Sequence, residues 1–306
     1  MPDALHCRLL RICEQTYGGE PGTFADVPWI DTAEANAPPR NCGLEPDVGL
    51  VGLIRQPRPG IARALVIAFR GTRDPTNPHD SDRLMTLRDW LNNDDCRQVP
   101  FPEGAPEPAL VHRGFRRSLT SLWPDLFALA NPILTAEPAP LLLITGHSKG
   151  GALANLAAVQ ARRIWPHVAI EVVTFAGARP GNQAFQAAYD RAIHTSVRYE
   201  SWPDPVPELP PGPQGSATLA RLAVQVASAL HVSGLDLMPP YWPVGRRVPP
   251  SSGWIADLWG RAQGLLGVLR RGGQPDLSLR AVVDAHKIAR GTAYARLVCG
   301  TPPAGG

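Results

Sequence analysis

The chemistry of this chain is concentrated first in Gly146-His147-Ser148-Lys149-Gly150, which follows the apolar run Leu141-Leu142-Leu143-Ile144 and opens onto Gly151-Ala152-Leu153-Ala154-Asn155-Leu156. A strand that turns at once into a helix through Gly-x-Ser-x-Gly is the setting of a nucleophile elbow; the alternative is an ordinary strand–helix turn. The turn is so tight that the positions flanking the serine have no room for large side chains, and Gly146 and Gly150 meet that demand. The serine is lifted at the carboxyl end of the strand, where a histidine can reach its hydroxyl. The first N–H groups and the positive dipole end of the new helix face the same spot. The chemistry is that of an activated hydroxyl nucleophile.

Such a serine needs a base, and the base needs an orienting acid. Hydrolases built on this elbow carry them in the order Ser, Asp or Glu, His. His231 and His286 are the histidines that follow Ser148 by more than about fifty residues. His231 adjoins the mainly apolar stretch 219–230 and reads as a packing or capping residue. His286, in Val282-Val283-Asp284-Ala285-His286-Lys287, suits a base on a loop or helix start after the last strand. For the acid, Asp204 stands in Trp202-Pro203-Asp204-Pro205-Val206-Pro207, where prolines on both sides stiffen the loop. A plain turn aspartate is the competing reading. Asp284 is a rival acid, two residues from His286 and so better suited to a local contact. Oxyanion donors would be the N–H of Lys149, directly after the nucleophile, and the N–H of Thr72, at the end of Phe69-Arg70-Gly71-Thr72.

These residues need elements to hold them. A helix is expected at 5–17 and a doubly buried strand at 64–69, followed by a polar loop at 70–83. A short helix is expected at 84–93, a Pro-rich loop at 94–109, and a helix at 115–130 with Phe115, Leu119, Leu122, Leu126 and Leu129 at helical spacing. The elbow strand at 141–145 leads into a helix ending near 164. Ala169 to Phe175 is the next buried strand, followed by a helix at 182–192 and a strand at 196–200. Strands alternating with helices predict an α/β fold with a mostly parallel central sheet.

With 306 residues and no internal repeat or linker, one large domain is expected over 1–306. A 44% hydrophobic, 19% charged composition is that of a globular soluble chain, and a net charge of +3 gives no argument for nucleic acid. The basic residues are nearly all arginine; the two lysines are Lys149 and Lys287. No window of 18 uninterrupted apolar residues exists, so no spanning helix is expected. Residues 1–8 lack the basic start and apolar stretch of a secretory signal. The five cysteines (Cys7, Cys13, Cys42, Cys96, Cys299) are odd in number and not in metal spacing. They read as reduced thiols, which favours the cytoplasm; export without a signal peptide, or a Cys42–Cys96 pair in an exported chain, is the alternative.

The chain resembles the class 3 lipase family, α/β-hydrolases related to fungal triacylglycerol lipases. The resemblance runs through Phe69-Arg70-Gly71-Thr72, Val111-His112-Arg113-Gly114-Phe115, the elbow itself, Thr174-Phe175-Ala176-Gly177-Ala178-Arg179-Pro180-Gly181-Asn182 and Asp204-Pro205-Val206-Pro207-Glu208-Leu209-Pro210. Residues 241–245 are similar to its late strand. The resemblance implies the α/β-hydrolase fold with helices on both faces of the sheet, and Ser148, Asp204 and His286 as a catalytic triad. It further implies Thr72 and Lys149 as the oxyanion hole, and no metal or organic cofactor. The implied partner is an acyl-ester or lipid substrate, with transient contact to a lipid surface; phospholipase A1, a feruloyl-type esterase and a non-catalytic lipid- or protein-binding member are the alternatives.

Three departures stand out. The family places a tyrosine three residues after its histidine, where Ala289 stands here, and an apolar residue after its serine, where Lys149 stands. The Asp204–His286 interval is long, with an apolar stretch at 219–230 and an amphipathic one at 254–271, so a helical cap or lid is expected around 212–280.

Overall fold

The computed structural model describes residues 3–17, 40–42, 49–72, 97–101, 109–136, 140–201, 204, 206–210, 212, 239–248, 286–288 and 292–300. Its elements run α1 (Ala4–Gln15), β1 (Arg40–Cys42), β2 (Gly49–Arg55), β3 (Arg63–Phe69), β4 (Gln98–Pro100), β5 (Leu110–His112), α2 (Arg113–Ala136), β6 (Leu141–His147) and α3 (Lys149–Ile164). They continue through β7 (Ala169–Phe175), α4 (Gln183–Ala192), β8 (Thr195–Tyr199), a 3-10 turn at Val206–Glu208, β9 (Arg246–Val248) and α5 (Ala293–Cys299).

Among the described residues the main sheet has the order β1-β2-β3-β6-β7-β8-β9. The pairs β3–β6, β6–β7, β7–β8 and β8–β9 are parallel, while β1–β2 and β2–β3 are antiparallel. The expected mostly parallel sheet is therefore present. The antiparallel strand Gly49–Arg55, paired between β1 and β3, is not among the expected strands, because glycines interrupt its apolar run. β4, inside what reads as a Pro-rich loop, pairs with β5 just after it as a separate two-stranded ribbon.

Strand alternation sends each central strand's side chains into two cores. Leu65, Ile67, Phe69, Leu142, Ile144, Ile170 and Val172 pack with α2, α3 and α4. Val66, Ala68, Leu143, Val173 and Phe175 pack with Leu5, Leu9, Leu10 and Ile12 of α1 and Tyr294, Ala295 and Val298 of α5. Helices thus cover both faces, as expected. α2 extends well past the expected 115–130 and runs through Pro124 and Pro132, both exposed. The stripe Phe115, Leu119, Leu122, Leu126, Ala130 and Leu134 is buried along its whole length, and that burial outweighs the backbone hydrogen bonds the prolines remove.

α1 begins at Asp3, whose carboxylate accepts the N–H groups of Leu5 (2.9 Å) and His6 (3.3 Å). Below it on β7, Glu171 is buried against His6 and Arg58. Burial pushes the Glu171 carboxyl up, but hydrogen bonds from His6 and Arg58 outweigh it and leave the group below its ordinary value.

The cysteines correct an expectation. Cys7 of α1 and Cys299 of α5 form a disulfide, with 4.9 Å between their Cα atoms. Spacing along the chain gives no hint of a pair separated by 292 positions, which only the docking of both helices on one sheet face brings together. Cys13 is a free, buried thiol. Cys96, the helix expected at 84–93, both helices expected at 219–230 and 254–271, His231 and Asp284 lie outside the described residues, as does the expected 212–280 cap apart from 212 and 239–248.

Candidate active site

β6 delivers Ser148 and α3 begins on the next residue. Ser148 holds φ +60° and ψ −129°, a sparsely populated conformation that costs a non-glycine residue ~1–3 kcal/mol. Three backbone bonds hold it there. Its N–H donates to the Phe175 carbonyl (3.1 Å), and its own carbonyl accepts from Gly151 (2.9 Å) and Ala178 (3.3 Å). The flanking glycines are steric requirements: a Cβ on Gly146 would run into the Gly150 carbonyl, and one on Gly150 into the Phe69 carbonyl. Ser148 occupies the N-cap position of α3, yet its hydroxyl makes no capping bond. A serine there normally spends its oxygen on the helix amides.

The oxyanion candidates lie beside it. β3 pairs in parallel with β6, Phe69 opposite Gly146, so the loop leaving β3 runs past the elbow. A Cβ on Gly71 would stand 2.9 Å from the Ser148 Cβ and 2.8 Å from the His147 carbonyl, which is how closely the two backbones approach. Thr72 follows, with a buried hydroxyl that has no hydrogen-bond partner among the described residues. Lys149 opens the first turn of α3.

Asp204 and His286 are brought together. Beyond β8, Asp204 is 6% exposed and its N–H donates to the Ser201 carbonyl (2.9 Å). Asp204 Oδ1 accepts the Val206 N–H at 3.0 Å, so the Pro-bounded loop orients the carboxylate through its own backbone. Oδ2 accepts from His286 Nδ1 at 2.8 Å. A carboxylate accepts, so Nδ1 carries the proton and Nε2 is left as the acceptor of a neutral ring. The His286 ring lies against His147, the residue before Ser148, with centroids 4.5 Å apart.

Two tyrosines complete the surroundings, and the sequence reading missed both. Tyr294 of α5 donates its hydroxyl to Asp204 Oδ2 at 2.7 Å and accepts the Ser201 N–H at 3.1 Å. Burial, with the Asp204 charge adding to it, pushes its phenol well above the ordinary value, so it remains a donor. The usable signal was its place eight residues after His286, in a chain whose position three after the histidine is alanine. Tyr17, two residues past the end of α1, reaches His147 Nδ1 at 2.7 Å.

The remaining motif residues are scaffolding. His112 accepts the N–H groups of Gly114 (3.1 Å) and Phe115 (3.4 Å) at Nδ1, capping the start of α2. Burial, with the Lys149 charge adding to it, pulls its imidazole down to about 3, so the ring stays a neutral acceptor. Asn182 caps α4 through the Phe185 N–H (2.8 Å) and accepts the Leu110 N–H (3.1 Å). Arg179 ties its loop to the acid loop through Glu208 and through its N–H to the Leu209 carbonyl. Of the late strand expected at 241–245, Trp242 bridges Gly181, and the strand itself starts at Arg246. Among the described residues no group of His, Cys, Asp or Glu is arranged to hold a metal ion. No described helix is long and apolar enough to cross a membrane.

Residues 66–213 match the family model for lipase (class 3). The chain is 26% identical over 203 residues to a secreted mono- and diacylglycerol lipase of Fusarium solani, covering 61% of this chain and 56% of that protein. It is 30% identical over 148 residues to one of Penicillium cyclopium, covering 48% and 43%. The chain thus spans about half the length of these curated relatives. Among solved structures, a lipase from Rhizopus microsporus var. chinensis superposes with a TM-score of 0.51 at 21% identity, over 67% of this chain and 68% of that one. Lipase II from Rhizopus niveus gives 0.50 at 20% identity, over 67% and 74%. Both show the α/β-hydrolase fold. The cytoplasmic expectation is corrected by these findings: the two curated relatives are named as secreted, and the reduced-thiol argument behind the expectation fails at Cys7 and Cys299.

Proposed function

Because this chain belongs to the class 3 lipase family, we propose that it is a serine carboxylic-ester hydrolase acting on acyl esters of glycerol through an acyl-enzyme on Ser148. The observation that carries this reading is the Asp204–His286 pair, its imidazole against His147, the residue before an elbow serine whose hydroxyl is not spent on capping its helix. His286 Nε2 takes the Ser148 proton as Oγ attacks the ester carbonyl carbon. The same proton goes to the departing alkoxide as the tetrahedral intermediate collapses. Water then attacks the acyl carbon, giving one proton to His286, which passes it to Ser148 Oγ as the C–Oγ bond breaks and the carboxylic acid and free serine are released. Asp204 keeps Nδ1 protonated and stabilises the imidazolium. The Thr72 and Lys149 N–H groups stabilise the oxyanion. On this reading the chain is a single α/β-hydrolase domain. The names of the two secreted relatives support mono- and diacylglycerols as the substrate class.

The test is covalent. A fluorophosphonate probe is expected to label the wild type at one site and to leave Ser148→Ala unlabelled. Hydrolysis of p-nitrophenyl esters from acetyl to palmitoyl should vanish in the same variant. Labelling that survives in Ser148→Ala, or a wild type that neither labels nor hydrolyses, overturns the reading.

Tyr294→Phe is expected to lower kcat about tenfold while KM holds, since one charge-assisted bond to Asp204 is worth ~1.5–3 kcal/mol and part of that is recovered by the remaining two donors. Steady-state kinetics normalised by active-site titration check it.

A further inference from the structure

We infer that Tyr17 is a positioning residue for this reaction, its single hydroxyl holding both the oxyanion loop and, through His147, the main chain of the base. The inference rests on the reading of Ser148, Asp204 and His286 given above.

α1 ends by closing on itself: the Thr16 hydroxyl donates to the Cys13 carbonyl (2.7 Å) and the Tyr17 N–H to the Glu14 carbonyl (3.2 Å). Tyr17 then meets the His147 ring edge-on, with centroids 5.7 Å apart. His147 is 1% exposed, on the α1 side of β6. Its Nε2 stands 2.9 Å from the main-chain carbonyl of His286. A carbonyl only accepts, so Nε2 carries the proton, and Nδ1 of the neutral ring accepts. Tyr17 therefore donates to Nδ1 at 2.7 Å. The phenol oxygen is left to accept the Gly71 N–H at 2.9 Å.

The result is one directional chain: Gly71 N–H to Tyr17, Tyr17 O–H to His147, His147 Nε2–H to the carbonyl of His286. It starts at the peptide just before Thr72, whose N–H serves as an oxyanion donor, and ends on the residue that carries the base. Gly71 is required for it, because a Cβ there would run into the Tyr17 hydroxyl. Tyr17 touches no reacting atom. It acts by setting the distance between an oxyanion donor and the base, where an ångström of misplacement costs about 100-fold. α1 does not depend on this hydroxyl for its docking, since Leu5, Leu9, Leu10, Ile12 and Cys13 are buried beneath it and Cys7 is cross-linked.

The experiment uses the full chain with Tyr17→Phe and His147→Gln, singly and together. Glutamine keeps an amide donor at the reach of Nε2 for the His286 carbonyl and has no acceptor at the position of Nδ1 for Tyr17. For Tyr17→Phe, kcat per titrated active site is expected to fall about 10–100-fold with KM within about twofold. Affinity for phenylboronic acid, which adds to the Ser148 oxygen and places a tetrahedral oxyanion in the hole, should fall by a comparable factor. A purely structural role would lower the melting temperature or the titratable fraction and leave both per-site quantities unchanged. The double variant should lose little beyond Tyr17→Phe, as residues acting in one chain are not additive. Per-site kcat and boronate affinity within about twofold of wild type, or losses that multiply in the double variant, overturn the inference while the triad stands. A wild type that neither titrates nor hydrolyses overturns the triad reading and this inference with it.

Discussion

Asp204→Asn is expected to fold as the wild type does and to lose about 10⁴-fold in kcat, the scale set by the same replacement in a Ser-His-Asp protease. The reason is a count of donors. The carboxylate accepts from Val206 N–H on Oδ1 and from both His286 Nδ1 and the Tyr294 hydroxyl on Oδ2. An amide cannot satisfy all three. With its NH₂ group on the Oδ2 side it faces two donors, so His286 must turn Nδ1 into an acceptor. The proton then moves to Nε2, the atom that has to receive the serine proton. Flipped, the NH₂ group meets the Val206 N–H head-on. Either arrangement leaves the base in the wrong tautomer or the acid loop displaced. Single-turnover kinetics with a p-nitrophenyl ester, beside a circular-dichroism melt, separates the catalytic loss from misfolding. Activity within about tenfold of wild type would remove Asp204 from the proposed machinery.

The second large effect is on stability. Removing the Cys7–Cys299 cross-link is expected to cost about 4 kcal/mol, near the top of the usual range, because the loop it closes spans 292 positions. The bond also joins the helix that leads into Tyr17 to the helix that carries Tyr294. Loosening it should therefore depress activity before the sheet unfolds. Urea titrations with and without a phosphine reductant, repeated on Cys7→Ser, make the measurement. Wild type should shift with reductant to the Cys7→Ser midpoint, and Cys7→Ser should not respond. Cys13 will not confuse the thiol count in the folded state, as burial pushes its thiol up to about 12. A midpoint indifferent to both reductant and mutation would show that the bond contributes nothing.

What could be read in the sequence was what local spacing encodes. The elbow, the buried strands at 63–69, 141–147 and 169–175, and the acid's Pro-bounded loop all announce themselves within a dozen residues. The edge strands did not, since three-residue ladders such as Arg40–Cys42 and Arg246–Val248 carry no periodicity of their own. The supports of the site were equally silent. Tyr17 lies 130 positions from His147 and Tyr294 lies 90 from Asp204, and each pairing is a product of two helices docking on the α1 face of the sheet. The disulfide failed as an expectation for the same reason. Family resemblance reached the residues proposed to react and stopped short of those that hold them, because Ala289 breaks the motif where a tyrosine was expected and Tyr294 supplies a hydroxyl from the following helix.

The bond between α1 and α5 has a topological meaning as well. Nearly all of the described fold lies between Cys7 and Cys299, so backbone and disulfide together make a covalent ring. A protease that cuts once inside that ring opens it without separating anything. The two pieces stay one molecule, heavier by a single water, until the sulfurs are reduced. Cleavage of a surface loop would then be invisible on a gel run without thiol and plain on one run with it. The sheet, pinned from both ends, would keep its register through the injury.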